Sequence, residues 1–594
     1  MDRSDYFRVS KPARYVGGEY GAVKPKGNAA MKMCLCFPDV YEVGMSNLGT
    51  RILYYMLNED PSASCERCYA PWDDMGSLLK ERRLPLTSIE THTPLSDFDI
   101  IGFSFQYELS YSNMLYMLDL AGIPFRAEDR DEKYPIVIFG GPCMVNPAPV
   151  LPFADLINIG EGEITLPMLS GLFAEAKKKG MSKREIIGRA DSFEGFYAPQ
   201  LHRDADGYTY LREKKVVRKQ KVKDLDTSFF PDRAIVSNLE VIHDRAVAEL
   251  FRGCANGCRF CQAGFIYRPV RERSPERVKE LCVGLIKNTG YDELSLNSLS
   301  TSDYSGLKEL VSSLRKETNL ENVRLSLPSL RLNSFEGVLK EEARKTSLTF
   351  APEAGTQRLR DVINKNITEK DIFSSLEEAF REGYSAVKLY FMLGLPTETD
   401  EDVKGIAELA LRVRELYFRT RKEKKDLRLN VSASIFIPKP FTPFQWESFI
   451  GKEEAERRIA LIRTLLRGKN INFSWHDWES SVMEAVFARG DHTLASLLED
   501  AYSFGAKMDG WAEFFNYEAY MRALDKNGFS LSLLTGGIPE DSPLPWEFVD
   551  VGVNRDFLLR ERKRAYAGKT TPACYKACSV CGIGCEVKND HSEV

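Results

Sequence analysis

From residue 246 to residue 437 the chain alternates short apolar runs with helical patterns, and that alternation restricts its fold more than any other feature. The runs lie at 246–253, 293–297, 323–327, 347–351, 386–393 and 428–437, with helical stretches near 303–317, 334–344, 369–383 and 401–420. Ser274-Pro275-Glu276 opens a further helix, with Ser as N-cap, Pro in the first turn and an early acid. Thr368-Glu-Lys-Asp371 reads as a capping box. Six such units predict a parallel sheet wrapped by helices. Periodicity alone allows a partial barrel, a full barrel or an open doubly wound sheet. In all three, chemistry belongs at the carboxyl ends of the strands.

The loop after the first run is Leu-Phe-Arg-Gly-Cys-Ala-Asn-Gly-Cys-Arg-Phe-Cys-Gln-Ala-Gly, residues 250–264. Cys254, Cys258 and Cys261 are spaced Cys-x3-Cys-x2-Cys. Three thiolates on one loop can hold three irons of a 4Fe-4S cluster and leave the fourth iron open to a small molecule. The alternative is a structural zinc site, which needs four closed ligands. The nearest downstream cysteine, Cys282, falls inside a predicted helix and reads as a small buried apolar residue.

The spacing resembles that of the radical S-adenosylmethionine (radical SAM) enzymes. So does the order of later strand-end segments, as in the methylthiotransferase and cobalamin-associated branches. The resemblance implies a (β/α)6 partial TIM barrel, a 4Fe-4S cluster on the three cysteines, and SAM chelated at the open iron. Reductive cleavage of SAM would give a 5′-deoxyadenosyl radical that attacks a C–H bond. It also implies roles for strand-end residues. Ser298 and Ser300, in 296–303, would receive the ammonium of SAM. Glu353, in Pro-Glu-Ala-Gly-Thr, would accept from the ribose hydroxyls, Gly355 would permit close approach, and Arg358 would pair with the SAM carboxylate. Gly394 and Pro396 would line the adenine, with Phe260 packed beside it. Taken singly, each also reads as an ordinary turn, a solvated arginine or a salt-bridged carboxylate.

Residues 31–176 form a smaller α/β pattern. Its apolar runs at 31–37, 99–105, 135–139 and 155–159 suit a doubly wound, Rossmann-like sheet. The segment resembles the cobalamin-binding domain that precedes many radical SAM barrels. Asp39, Tyr41 and Gly44 carry that resemblance, with Ser104, Gly140, Gly141 and the run 160–163. The cobalt-ligating pattern is Asp-x-His-x-x-Gly, and Tyr41 stands at its His position, so cobalamin would bind with its lower face unligated. A Rossmann-like domain without the cofactor is the alternative. Cys34, Cys36, Cys65, Cys68 and Cys143 read as strand or loop cysteines. The basic run at 212–223 reads as a solvated face, with a contact to phosphate as the alternative.

Beyond residue 470 the alternation stops, and 479–526 is helical and rich in Ala, Leu and aromatics. Cys574, Cys578, Cys581 and Cys585 then fall within twelve residues, a second metal site for zinc or an auxiliary iron–sulfur cluster. The expected division is 1–215, a cobalamin-binding-like domain with an extension; 216–243, a linker; 244–470, the barrel; and 471–594, a helical region with the metal-binding tail. The 81 basic against 86 acidic residues give a net charge of −5 and no global pull toward nucleic acid. The absence of a signal sequence or a bilayer-length apolar run predicts a cytoplasmic protein. A radical SAM enzyme needs a one-electron donor such as flavodoxin or ferredoxin. An RNA base is one candidate substrate, through a methylthiotransferase-like reaction without cobalamin. A non-catalytic iron–sulfur scaffold is the competing class, and it would leave the strand-end motifs without purpose.

Overall fold

The computed structural model describes residues 4–205, 207–211, 216–328, 348–421 and 426–584. The N-terminal sheet consists of β1 (Met31–Phe37), β2 (Ala63–Tyr69), β3 (Ile100–Ser104), β4 (Ile136–Gly140), β5 (Leu156–Asn158) and β6 (Phe196–Tyr197). Its order is β2-β1-β3-β4-β5-β6, parallel except for the β5–β6 pair. The first five strands thus have a doubly wound order that reverses direction between β1 and β3. Helices Leu48–Glu59, Tyr111–Ala121 and Gly162–Lys179 cover the sheet. Covering both faces explains why β1 reads as a nearly unbroken apolar run: only Lys32 of its seven residues is exposed.

β2 was not evident from its sequence, Ala-Ser-Cys-Glu-Arg-Cys-Tyr. Its buried Glu66 accepts hydrogen bonds from Ser88 and Thr91, both at 2.7 Å. Its buried Arg67 pairs with Glu90 at 2.6 Å and Glu19 at 3.1 Å. Buried charges are tolerated when paired and hydrogen-bonded, and here the partners come from segments distant in sequence. Cys34, Cys36, Cys65, Cys68 and Cys143 are all buried. Desolvation pushes the Cys34 thiol up to about 12, which marks a packed cysteine.

The second sheet system begins at Ala246–Glu249 and continues through Glu293–Asn297 and Arg324–Ser326, a parallel three-stranded sheet. A four-stranded parallel sheet follows: Leu348–Glu353, Ala386–Leu393, Arg428–Ile435 and Asn472–Trp475. Every one of the six expected strands is present, and Asn472–Trp475 adds a seventh beyond the boundary set at 470. Helices Pro275–Thr289, Leu307–Arg315, Glu369–Arg381 and Asp400–Thr420 connect them. Ser274 caps the first through the N–H of Arg277, and Thr368 with Asp371 forms a capping box on the third. The helix expected at 334–344 lies outside the described residues.

The C-terminal helices Trp478–Arg489, Leu494–Ser503 and Tyr517–Lys526 pack mainly on the N-terminal domain. One apolar cluster runs from Phe103, Phe105 and Phe139 through Tyr111 to Phe487 and Tyr520. Polar contacts reinforce it: Asp509 accepts from Ser112 and Tyr520, both at 2.5 Å, and Arg126 pairs with Glu499 at 2.6 Å. Val549–Asp550 also pairs in parallel with Val217–Arg218. Among the described residues, no helix is long and apolar enough to cross a membrane.

Candidate active site

The cysteine loop leaves the first barrel strand through Gly253, whose φ is +91°. A Cβ there would lie 2.6 Å from the Pro269 carbonyl oxygen and 2.7 Å from that of Tyr267, so the turn requires glycine. Arg259 then fixes the loop from below. It is fully buried and donates to the carbonyl oxygens of Val362 at 2.8 Å, Asp361 at 3.1 Å and Lys569 at 2.7 Å. It also pairs with the buried Glu561 at 3.1 Å. Asn364 donates to the Gly257 carbonyl at 2.9 Å and accepts from the Thr571 N–H at 2.7 Å. The loop is therefore held between the segment after the fourth strand and the C-terminal tail.

Within the loop, the Cys261 N–H donates to the Cys258 carbonyl at 3.1 Å, and Asn256 donates to Cys254 Sγ at 3.6 Å. Burial pushes the Cys261 thiol up to about 12, the negative charge of Cys258 and Cys254 adds to this, and Lys365 opposes it. The three sulfurs thus lie within one another's field. Among the described residues, no three Cys, His or carboxylate side chains are already gathered as a metal site. The donor set nevertheless suits iron, because it offers three soft thiols on one anchored loop. Cluster binding would have to draw them together and release their protons.

Glu353, φ +67°, ends the fourth strand and pairs with Lys365 at 3.1 Å; the ammonium also lies 5.8 Å over the Phe260 ring. Lys365, Glu353, Phe260 and Cys261 form one neighbourhood, and Lys365 was not singled out from the sequence. After the second strand, Asp303 accepts from Asn256 and from Ser300, both at 2.7 Å. Ser300 is thereby committed within the protein, whereas Ser298, which shares a hydrogen bond with Thr301 at 3.1 Å, lines a cavity.

Two of the residues expected to face the ligand make close contacts within the protein. A Cβ on Gly355 would lie 2.3 Å from the Ile406 nitrogen and 2.4 Å from the Asp402 oxygen. The close approach made there is to helix Asp400–Thr420. Arg358 pairs with Asp402 and donates to the Thr397 carbonyl at 2.8 Å, so its guanidinium is engaged by the same helix end. Gly394 donates its N–H to Glu398 at 2.7 Å, and Pro396 is buried beside it. Burial holds Glu398 up at about 7 despite its pairing with Arg458.

A cavity of about 650 Å³ separates the two sheets. Ser104, Gly140 and Gly141 line it from the carboxyl ends of β3 and β4, and Ser298, Leu299 and Gly253 face them from the barrel. Asp39, Tyr41 and Gly44 lie elsewhere. Asp39 accepts from the Trp511 indole N–H at 2.9 Å, the Tyr41 hydroxyl donates to Glu19 at 3.0 Å, and Gly44 packs on Tyr69. Tyr41, at the family's cobalt-ligating position, is thus turned toward the N-terminal extension. The cavity's size falls within the roughly 300–1,000 Å³ of sites for small organic ligands.

The tail reaches the same centre. Cys574 donates its N–H to the Ala255 carbonyl at 2.9 Å, between the first two loop cysteines. Cys578 Sγ accepts from the Val580 N–H at 3.4 Å, and Cys581 is buried. Cys585 lies outside the described residues.

Residues 248–410 match the radical SAM superfamily, and residues 49–199 match the N-terminal domain of radical SAM proteins. The chain is 28% identical over 471 residues to an uncharacterized protein of Methanocaldococcus jannaschii, covering 79% of this chain and 90% of that one. It is 24% identical over 253 residues to the ribosomal protein uS12 methylthiotransferase RimO of Treponema denticola, covering 34% of this chain and 53% of that one. Among solved structures, it is similar to the radical SAM methyltransferase TsrM of Kitasatospora setae with cobalamin and a [4Fe-4S] cluster bound. That likeness has 14% identity and a TM-score of 0.49, and covers 84% of this chain and 99% of that one. With its cysteine loop at the mouth of a parallel barrel and the superfamily match over that barrel, this chain is an enzyme of the radical SAM superfamily.

Proposed function

We propose that Cys254, Cys258 and Cys261 hold the 4Fe-4S cluster at which SAM is cleaved, and that the interdomain cavity holds a corrinoid facing it. The reaction class is methylation of a carbon whose C–H bond is replaced. The observation that carries this reading is the shared cavity, walled by the carboxyl ends of β3 and β4 and by the barrel's cysteine and Ser298 loops. Such ends are where open α/β sheets and barrels bind ligands. The N-terminal unit, about residues 1–215, would be the corrinoid side; the barrel from 244 would be the SAM side.

When bound, the cluster supplies the electron that breaks the sulfonium C–S bond, delivered by a one-electron donor such as flavodoxin or ferredoxin. The protein's own residues position and seal. Lys365 holds the Glu353 carboxylate at the strand end, where it can accept from ribose hydroxyls. Asp303 and Asn256 fix the loop beside Cys254. The N-terminal domain and the C-terminal tail flank the barrel mouth and restrict water.

The test is anaerobic reconstitution with iron and sulfide, followed by dithionite, SAM and hydroxocobalamin. Release of 5′-deoxyadenosine or S-adenosylhomocysteine, together with a bound corrinoid spectrum, supports the reading. A reconstituted protein that cleaves SAM and takes up no corrinoid overturns its cobalamin half; zinc alone on the triad overturns all of it.

A further inference from the structure

Lys219 sits where three parts of the chain meet. Its own N–H donates to the Asp550 carbonyl at 2.8 Å. The next residue, Gln220, bridges to Gly160 at the end of β5. The main chain is therefore fixed on both sides, and the side chain lines the interdomain cavity. The residue is only 9% exposed, and among the described residues its Nζ is buried without a hydrogen-bond partner. The ammonium faces the Tyr267 ring, with 5.4 Å to the ring centroid.

Among the described residues, the adjacent carboxylates are all engaged by arginines, although Glu161 still attracts the ammonium. Glu161 is the adjacent acid, but Arg271 binds both its oxygens, at 2.8 and 2.9 Å. Arg252 and the Val222 N–H add contacts to Glu161 at 3.1 and 2.7 Å. Glu163 and Glu249 are taken by Arg252, and Glu249 also by Arg273. A lysine ammonium buried without a hydrogen-bond acceptor, beside an acid already shared by two arginines, is costly, and burial outweighs the attraction of Glu161. It is retained in the wall of a ligand-sized cavity, and function commonly accounts for such local expense.

We propose that Lys219 is the anion anchor of the interdomain cavity, receiving a phosphate or carboxylate carried by the molecule bound there. The proposal rests on the reading of this cavity as a ligand site. The anion has two chemical sources: the phosphodiester of a corrinoid's nucleotide loop, or an acidic group of the substrate.

Full-length wild-type, Lys219→Met and Lys219→Arg proteins are titrated anaerobically with hydroxocobalamin, with cobinamide (which lacks the phosphodiester) and with inorganic phosphate. Absorbance and thermal unfolding report binding. Lys219→Met should melt at or above the wild type without ligand, because it removes a charge whose burial outweighs its attraction to Glu161. It should lose about tenfold or more in affinity for the anionic probe, as expected for a charge-assisted hydrogen bond. Lys219→Arg should retain most of it. Weakened hydroxocobalamin with unchanged cobinamide assigns the anion to the corrinoid. Unchanged corrinoid binding with lost stabilisation by phosphate assigns it to the substrate. A wild type that binds no corrinoid, yet is stabilised by phosphate only when Lys219 is present, overturns the corrinoid reading and leaves the anchor standing. Equal responses of wild type and Lys219→Met to every probe overturn the anchor.

Discussion

The buried guanidinium of Arg259, between the second and third cysteines of the loop, pairs with Glu561 of the C-terminal helix Arg555–Tyr566 at 3.1 Å. A residue some three hundred positions away thus supports the loop proposed to hold the cluster. Glu561→Ala leaves Arg259 buried and unpaired, an error that typically costs about 3–5 kcal/mol. The expected result is a lower melting temperature and poor iron retention after reconstitution. Intact iron loading with unchanged stability would contradict the clamp.

The cysteines separate by role. Cys254→Ala, Cys258→Ala and Cys261→Ala should each abolish 5′-deoxyadenosine formation and lower iron by about four per chain, the content of one cluster. Cys282→Ala should do neither, because Cys282 is a fully buried core residue of helix Pro275–Thr289. Iron and zinc analysis of the Cys578→Ala protein, beside SAM cleavage, identifies the metal of the tail.

Gly355→Ala should destabilise the barrel. The added methyl meets the backbone of helix Asp400–Thr420 at 2.3–2.4 Å, and backbone cannot rotate away. Overpacking of this kind costs about 1–3 kcal/mol. Urea unfolding should show a lower midpoint with the same slope.

Acid should loosen the contact between the two domains. The Glu161 carboxylate is buried, but Arg271 and Arg252 hold its pKa down at about 2. A folded pKa below the unfolded value gives stability that is present above pH 4.5, the ordinary value, and lost as pH falls toward 2. The shift corresponds to about 3 kcal/mol at neutral pH. Glu161→Gln should therefore be less stable than wild type at pH 7, with the gap closing by pH 2–3. Unfolding curves at a series of pH values provide the comparison.

Regular patterns made much of the architecture legible. The barrel strands announced themselves as apolar runs, and the Ser274 and Thr368 caps as local grammar, because those signals are carried by adjacent residues. The cysteine loop was readable for the same reason. What escaped depends on distant partners. β2 looked polar because Glu66 and Arg67 are neutralised by residues 22 to 48 positions away. Strand Asn472–Trp475 is mostly exposed, and its alternation of Ile471, Phe473 and Trp475 is too short to stand out. Arg358 has a suitable side chain for a carboxylate ligand, and its partner within the protein is Asp402, in the helix Asp400–Thr420 more than forty residues on. The Tyr41 hydroxyl bonds Glu19, a partner that nothing in the local pattern announces. Lys219 is hidden within a basic run that reads as solvated, and Lys365 carries no motif; both become visible only through burial and neighbours.

The apolar seam joining Phe103, Phe105 and Phe139 to Phe487 and Tyr520 has a consequence for biosynthesis. The first domain leaves the ribosome long before residues 478–526, which cover its greasy side. Until they arrive, that side stands bare to water and to other nascent polypeptides. Fragments ending before residue 478 should therefore aggregate or recruit chaperones, whereas full-length translation closes the seam from the far end of the gene.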